Sequence, residues 1–144
     1  METSIIEQLD KLRYNLLKWT TIGWGIWFAT IIGNNIEKGH IITTIATFIG
    51  LFSSTIWAIN LINFLKLNKE LSRHRKLNEA LNNEVHLYNL HKSFQVGYKT
   101  VIMVTAILMC ISIITTISAL LVTELILYFG VLSVLVSILY YNRE

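Results

Sequence analysis

Four stretches of the sequence contain no charged residue. They cover residues 19–36, 39–65, 100–123 and 125–142, and they hold 18, 27, 24 and 18 residues. A membrane-spanning helix needs about 20 mostly apolar residues, with about 17 as the lower limit. All four stretches reach that limit, and the chain has no proline to break a helix. The sequence therefore predicts an all-α integral membrane protein with four transmembrane helices, at about 16–34, 41–64, 99–121 and 125–141.

The composition also favours a membrane protein over a soluble domain. The chain has 144 residues, a single-domain length, and is 53% hydrophobic and 15% charged, against about 25% charged residues in a typical soluble domain. As one helix, residues 100–142 would measure roughly 64 Å, about twice the hydrocarbon thickness of a bilayer. We therefore expect the chain to turn back near Glu124, with Thr123 as the N-cap of the last helix.

Lysine and arginine lie almost entirely on one side of the predicted membrane. Eleven of the 12 fall in the N-terminal segment, in residues 65–99 or after the last span, and only Lys38 falls on the other side. Because basic loops stay in the cytoplasm, this bias predicts a multi-pass protein of the inner (cytoplasmic) membrane with both termini cytoplasmic. The net charge of +3 reflects the same bias and does not indicate nucleic acid binding.

Residues 4–15 are predicted to form a separate amphipathic helix. Ser4 and Glu7 have the spacing of a capping box, and an apolar stripe follows at helical spacing: Ile5, Leu9, Leu12 and Leu16. Two interpretations remain open. The helix either leads into the first span while docked on a neighbouring element, or lies on the membrane surface.

Small residues recur at every fourth position in the first two predicted spans, and such stripes let helix backbones approach closely in lipid. They are Gly25, Ala29 and Gly33 in the first span, and Ala46, Gly50, Ser54 and Ala58 in the second. Four helices with such faces have more packing surface than one four-helix bundle needs. The sequence therefore predicts a homo-oligomer.

Residues 65–98 are polar and favour helix, with no proline and a single glycine. A structureless loop of that length would be unusual. We therefore expect the second and third spans to continue into the cytoplasm as a helical hairpin with its turn at Asn82–Asn83. In that hairpin an apolar seam would pair Leu67 with Tyr98, and Leu71 with Phe94.

The basic residues of this hairpin suggest two kinds of contact. Those at its base are expected to lie within reach of anionic lipid headgroups: Lys66, Lys69 and Lys99. A second cluster lies nearer the tip and is either a solvated face or a docking site for an acidic protein partner: Arg73, Arg75 and Lys76.

Two histidines face each other in the same register. His74 and His91, together with Glu70, would present three groups able to bind a divalent metal such as zinc. They would also respond to pH. The plainer interpretation is a hydrogen-bonded pair within the seam, with no metal. We expect His86 to lie apart from this pair, on the outer face of the hairpin.

Several functional classes lack their characteristic residues. With Glu124 expected at the outer turn, no ionisable residue lies at hydrocarbon depth, where proton relays and charged-substrate transporters place them. The sequence has no phosphate-binding loop, nucleophile–base pair, CxxC or HExxH motif. We therefore predict no enzyme activity, no catalytic residues and no cofactor.

The leading hypothesis is a non-enzymatic oligomeric membrane protein that presents its basic cytoplasmic hairpin to a protein partner. This describes a membrane anchor or a regulatory subunit, such as one in a stress or anti-phage defence system. Its predicted partners are itself, a cytoplasmic protein and anionic lipids, with no nucleic acid. The alternative is an oligomeric pore with a weakly polar lining from one of two sets: Thr43, Thr47 and Ser54, or Thr105, Ser112 and Thr116.

Overall fold

The computed structural model describes residues 2–36, 40–73 and 84–143. These residues form four α-helices: α1 (Glu2–Ile36), α2 (His40–Arg73), α3 (Glu84–Ile114) and α4 (Ala119–Tyr141). The all-α prediction is confirmed.

Three of the helices, α2, α3 and α4, are long and apolar enough to cross a membrane. Most of their large apolar side chains are exposed, as in Phe52 at 71% and Ile113 at 85%. Exposed apolar surface of this extent suits lipid or another subunit rather than water. The first predicted span lies within α1, whose second half is charge-free but contains threonines and two asparagines. A fourth span there remains a prediction.

The helices pack in the order α2, α1, α4, α3. Helix α1 contacts both α2 and α4, and α3 packs against α4. Over the described residues, α2 and α3 do not pack along each other. The fold is therefore two antiparallel helix pairs joined along α1 and α4.

Helices α1 and α2 lie in close contact at Gly23. A Cβ atom there would lie 2.9 Å from the backbone nitrogen of Trp57 and 3.0 Å from the carbonyl oxygen of Ser53. A second close contact lies further along, where a Cβ on Gly50 would come 2.5 Å from Thr30 Oγ1. Glycine is required at Gly23 because the neighbouring atoms are backbone atoms, which cannot move aside as a side chain does.

Aromatic rings join α1 to both of its neighbours. Trp24 stacks on Tyr128 of α4 with ring centroids 5.9 Å apart, and Phe28 stacks on the same ring at 6.0 Å. On the other face of α1, Trp27 stacks on Trp57 of α2 at 5.2 Å. Aromatic pairs of this geometry contribute about 0.5–1.5 kcal/mol each beyond area burial.

The turn between the last two helices lies at residues 115–118, so its predicted position near Glu124 is wrong. Ser118 is the N-cap of α4, and its side chain accepts a hydrogen bond from the backbone N–H of Leu121 at 3.3 Å. Thr123 lies inside the helix, where its hydroxyl donates to the Ala119 carbonyl at 2.9 Å. A serine cap in extended backbone satisfies the free N–H groups of a helix start. The single charge of Glu124 does not provide such a cap.

Residues 4–15 are helical, as predicted, but they do not form a separate helix, because α1 runs without a break from Glu2 to Ile36. No glycine or proline occurs before Gly23, so nothing in the sequence ends a helix between the two segments.

Helices α2 and α3 both extend beyond the charge-free stretches, to Arg73 and from Glu84 respectively. The predicted seam between them is not present in the described residues. Phe94 and Tyr98 are 57% and 69% exposed, because α3 turns a different face inward. That face carries Ser93, which is fully buried, and Gly97, and it packs on α4. The predicted turn at 82–83 lies outside the described residues.

Candidate functional site at the polar end

A cavity of about 870 Å³ opens at the end of the bundle where α1 begins, α2 ends, α3 begins and α4 ends. We call this end the polar end. The floor of the cavity is apolar and includes Leu17, Leu61 and Leu135. Its rim carries polar and charged side chains, among them Asp10 and Arg143. The volume lies within the range of small-molecule sites, about 300–1,000 Å³.

His86 connects three helices at the wall of this cavity. Arg13 of α1 donates from Nη2 to His86 Nε2 at 2.8 Å. His86 Nδ1 lies 3.2 Å from Asn142 Oδ1, at the C-cap of α4. A neutral imidazole with its proton on Nδ1 makes both hydrogen bonds, since Nε2 then accepts and Nδ1 donates. The cluster therefore ties α1, α3 and α4 together through one ring.

Two asparagines complete the end of α4. Asn89 donates from Nδ2 to the Tyr141 carbonyl at 2.9 Å, and Asn142 donates to the Ile138 carbonyl at 2.8 Å. The last carbonyls of a helix have no partner within the helix. Helix α3 thus supplies one of the donors that end α4, and this positions Asn142 beside His86.

Burial at this site lowers the pKa of His86, and the positive charge of Arg13 lowers that pKa further. The hydrogen bond that His86 donates to Asn142 and the negative charge of Asp10 oppose the shift. Both causes of the lowering favour the neutral ring, which is the form that accepts from Arg13. His86 lies in the polar extension of α3, ahead of the charge-free stretch that begins at Thr100.

The fold should lose stability as the pH falls through the range in which His86 takes up a proton. The folded pKa lies below the usual value of 6.5, so the unfolded chain binds more protons in the window below 6.5. The stability that the neutral His86 ring contributes to the fold is therefore fully present above that pH, and it is lost on acidification. We expect the melting temperature to be lower at about pH 5 than at about pH 7.5.

His86→Gln should reduce this pH dependence, because glutamine keeps an acceptor for Arg13 but does not titrate. His91→Gln is the matched control, since His91 lies on the same helix and is exposed. Equal pH dependence in both variants would contradict the role assigned to His86.

The residues singled out from the sequence occupy several different places. Lys66, Lys69 and Lys99 are exposed. Arg73 ends α2, whereas Arg75 and Lys76 lie outside the described residues. Glu70 and His91 are exposed on α2 and α3, which do not pack together over the described residues, and His74 lies outside them. Within the described ranges, no group of three His, Cys, Asp or Glu residues is placed to hold a metal ion.

Glu124 contacts α1 at the opposite end of the bundle. It lies in the second turn of α4, not at an outer turn as expected, and its Oε1 accepts from Asn35 Nδ2 at 2.6 Å. Asn34 donates to Thr47 Oγ1 at 3.4 Å. Among the described residues, Glu124 Oε2 and Asn34 Oδ1 are shielded from solvent and have no hydrogen-bond partner. This carboxylate therefore joins α1 to α4.

The small-residue stripe of α1 lines an open apolar groove. Gly25, Ala29 and Gly33 lie along it, with Ala46 of α2 and Tyr128 of α4 at its sides. A Cβ on Gly25 would meet Leu132 at 3.4 Å, whereas one on Gly33 would meet nothing within 4 Å. Part of the stripe therefore packs inside the chain and part remains open.

No family model matches the chain, and neither the curated proteins nor the solved structures contain a match.

Proposed function

We propose that this protein is a non-enzymatic, self-assembling membrane protein that presents its polar end to a cytoplasmic protein partner. It would act as a membrane anchor or a regulatory subunit, for example in a stress or anti-phage defence system. The observation that carries the proposal is the extension of α2 and α3 past their charge-free stretches at the same end of the bundle. A protein confined to the bilayer has no need of such extensions.

The surface of these extensions supports docking over simple solvation. Val85, Tyr88 and Phe94 of α3 are exposed there, next to charged residues that include Lys92. Aromatic side chains are enriched at protein–protein interfaces. Lys66 and Lys69 of α2, and Lys99 of α3, would hold anionic lipid headgroups at the base of the extensions.

In the proposed topology, α1 is the fourth transmembrane helix. It packs between α2 and α4, both of which are apolar enough to span, and its charge-free part lies alongside theirs. The bias of lysine and arginine toward the polar end supports a cytoplasmic location for that end and for both termini, in the inner membrane. The open groove along Gly25, Ala29 and Gly33 supports assembly with further copies of the chain.

A pore is the competing function, and its proposed lining hydroxyls already have acceptors in their own helices. Thr47 donates to the Thr43 carbonyl at 2.7 Å, and Ser54 to the Leu51 carbonyl at 2.8 Å. Ser112 of the second set donates in the same way, to the Met109 carbonyl at 2.7 Å. These hydroxyls need no water-filled path to satisfy their donors, which favours the docking function over the pore.

Charge reversal at Arg73, Arg75 and Lys76 together should abolish partner binding while the protein still inserts in the membrane. The test is isolation of the tagged protein from cross-linked cells, with extraction by alkaline carbonate as the control for insertion. The neutral triple variant with glutamine at the three positions should bind with intermediate strength. Full recovery of the partner with the charge-reversed variant would show that these three residues do not contribute to the interface.

The purified wild-type protein should show no conductance in planar bilayers, whatever its oligomer size. Reproducible single-channel currents that change with substitution of Thr47 or Ser54 would replace the docking function with the pore.

A further inference from the structure

We propose that the cavity at the polar end binds a zwitterionic phospholipid that enters sideways from the bilayer, between α2 and α3. This binding site differs from the exposed lysines that would meet the surface headgroups. It depends on the membrane location of the helices and not on any protein partner.

The position of the cavity along the bundle suits a lipid. Its apolar floor includes Leu61 and Leu135, which belong to the charge-free stretches of α2 and α4, and Thr20 from the charge-free stretch of α1 also lines the cavity. Its rim includes Asp10 and Arg143, which belong to the charged segments outside those stretches. The cavity therefore crosses the boundary between hydrocarbon and headgroup, as a phospholipid does.

The order of the helices points to a lateral entrance between α2 and α3. Helix α1 packs on α2 and on α4, and α3 packs on α4, whereas no comparable packing joins α2 to α3 over the described residues. Phe64 of α2 and Leu90 of α3 line the cavity from the two sides of this gap. An acyl chain can enter such a gap on the side of Phe64, at the end of the charge-free stretch of α2, whereas a water-soluble ligand gains nothing from an opening toward lipid.

The charges of the rim select the headgroup. Asp10 on α1 offers a carboxylate to an ammonium group, and Arg143 after α4 offers a guanidinium to a phosphate. Asn68 and Tyr14 add neutral hydrogen-bonding groups to the rim. Because both signs of charge are present, a headgroup with both signs fits better than an anionic headgroup alone.

Native mass spectrometry of the protein released from nanodiscs tests the proposal. The nanodiscs contain equal parts of phosphatidylethanolamine, phosphatidylcholine and phosphatidylglycerol. We expect the wild-type chain to retain a zwitterionic lipid in preference to phosphatidylglycerol. Leu61→Trp should lower retention by about tenfold or more, since it fills the floor of the cavity and a tenfold change corresponds to about 1.4 kcal/mol.

Ile59→Trp is the matched control, because it adds the same bulk to α2 at a side chain that is 55% exposed. It should retain lipid as the wild type does. If Leu61→Trp does not fold, as judged by its thermal transition, Leu135→Phe fills the same floor from α4. Asp10→Asn and Arg143→Gln should each reduce the preference for zwitterionic lipid.

Three results would overturn the proposal. They are a wild-type chain that retains no lipid, equal retention in the cavity-filling and control variants, and retention of phosphatidylglycerol at the level of the zwitterionic lipids.

Discussion

Gly23→Leu should cause a large loss of stability. Even the first added carbon would lie 2.9 Å from Trp57 N and 3.0 Å from Ser53 O, and both are backbone atoms. Overpacking a well-filled contact costs typically about 1–3 kcal/mol and occasionally more. Since the whole α1–α2 contact must open here, we expect about 3 kcal/mol or more. Unfolding followed by tryptophan fluorescence in mild detergent measures the loss.

Gly33→Leu is the matched control on the same helix. A Cβ at Gly33 meets nothing within 4 Å, so the fold of a single chain should tolerate the change. The substitution should act on assembly instead, because it blocks the open groove. A loss of stability as large as that of Gly23→Leu would mean that the α1–α2 contact is misplaced.

Arg13→Met should loosen the polar end with the rest of the bundle intact. Methionine keeps the apolar stem of the side chain but removes the guanidinium that donates to His86 Nε2. The half-buried ring nitrogen then loses this hydrogen bond. A lost hydrogen bond to a charged donor of this kind costs about 1–2 kcal/mol at a partly exposed site. Hydrogen exchange should rise at the start of α3, from Glu84 to about Lys92, and remain unchanged where α1 packs on α2.

Lys11→Met is the control for the loss of charge. Lys11 forms an exposed ion pair with Glu7 at 2.7 Å, and solvent weakens such pairs. Its loss should leave the start of α3 unchanged. Faster exchange there in the Lys11 variant as well would indicate a general charge effect rather than the loss of the bond to His86.

The helices themselves are predictable from the sequence because their signal is local. The charge-free stretches, the absence of proline and the helix-favouring residues beyond Lys66 all act within one segment. The extension of α2 to Arg73 and the start of α3 at Glu84 follow from that same local preference.

The helix contacts were harder to predict because more than one face of a helix can serve for packing. For α3 the apolar residues Phe94 and Tyr98 suggested a seam with α2, yet the small residues Ser93 and Gly97 form the packed face. In lipid, large apolar side chains gain little by leaving the surface, so small residues that allow close approach decide the contact. The same reasoning identifies Gly23 as a packing residue. It lies outside the stripe of small residues at every fourth position that contains Gly25.

The candidate site was missed for a related reason. The hairpin register predicted from the sequence places His86 on an outer face, and α2 and α3 do not form that register over the described residues. Its helical spacing with Asn89, Ser93 and Gly97 was a usable signal, since these four residues follow one face of α3. The partner Arg13 lies 73 residues away in the sequence, and no local pattern connects such a pair.

Site-specific photocross-linking in intact cells tests the central claim, that the polar end is a docking surface for a cytoplasmic protein. A benzophenone side chain placed at Tyr88 or Phe94 lies at the polar end, and one at Phe48 lies in the apolar part of α2; all three positions are exposed. The account predicts adducts with a protein other than the chain itself at Tyr88 and Phe94, and none at Phe48. Adducts with the chain alone at all three positions would contradict it.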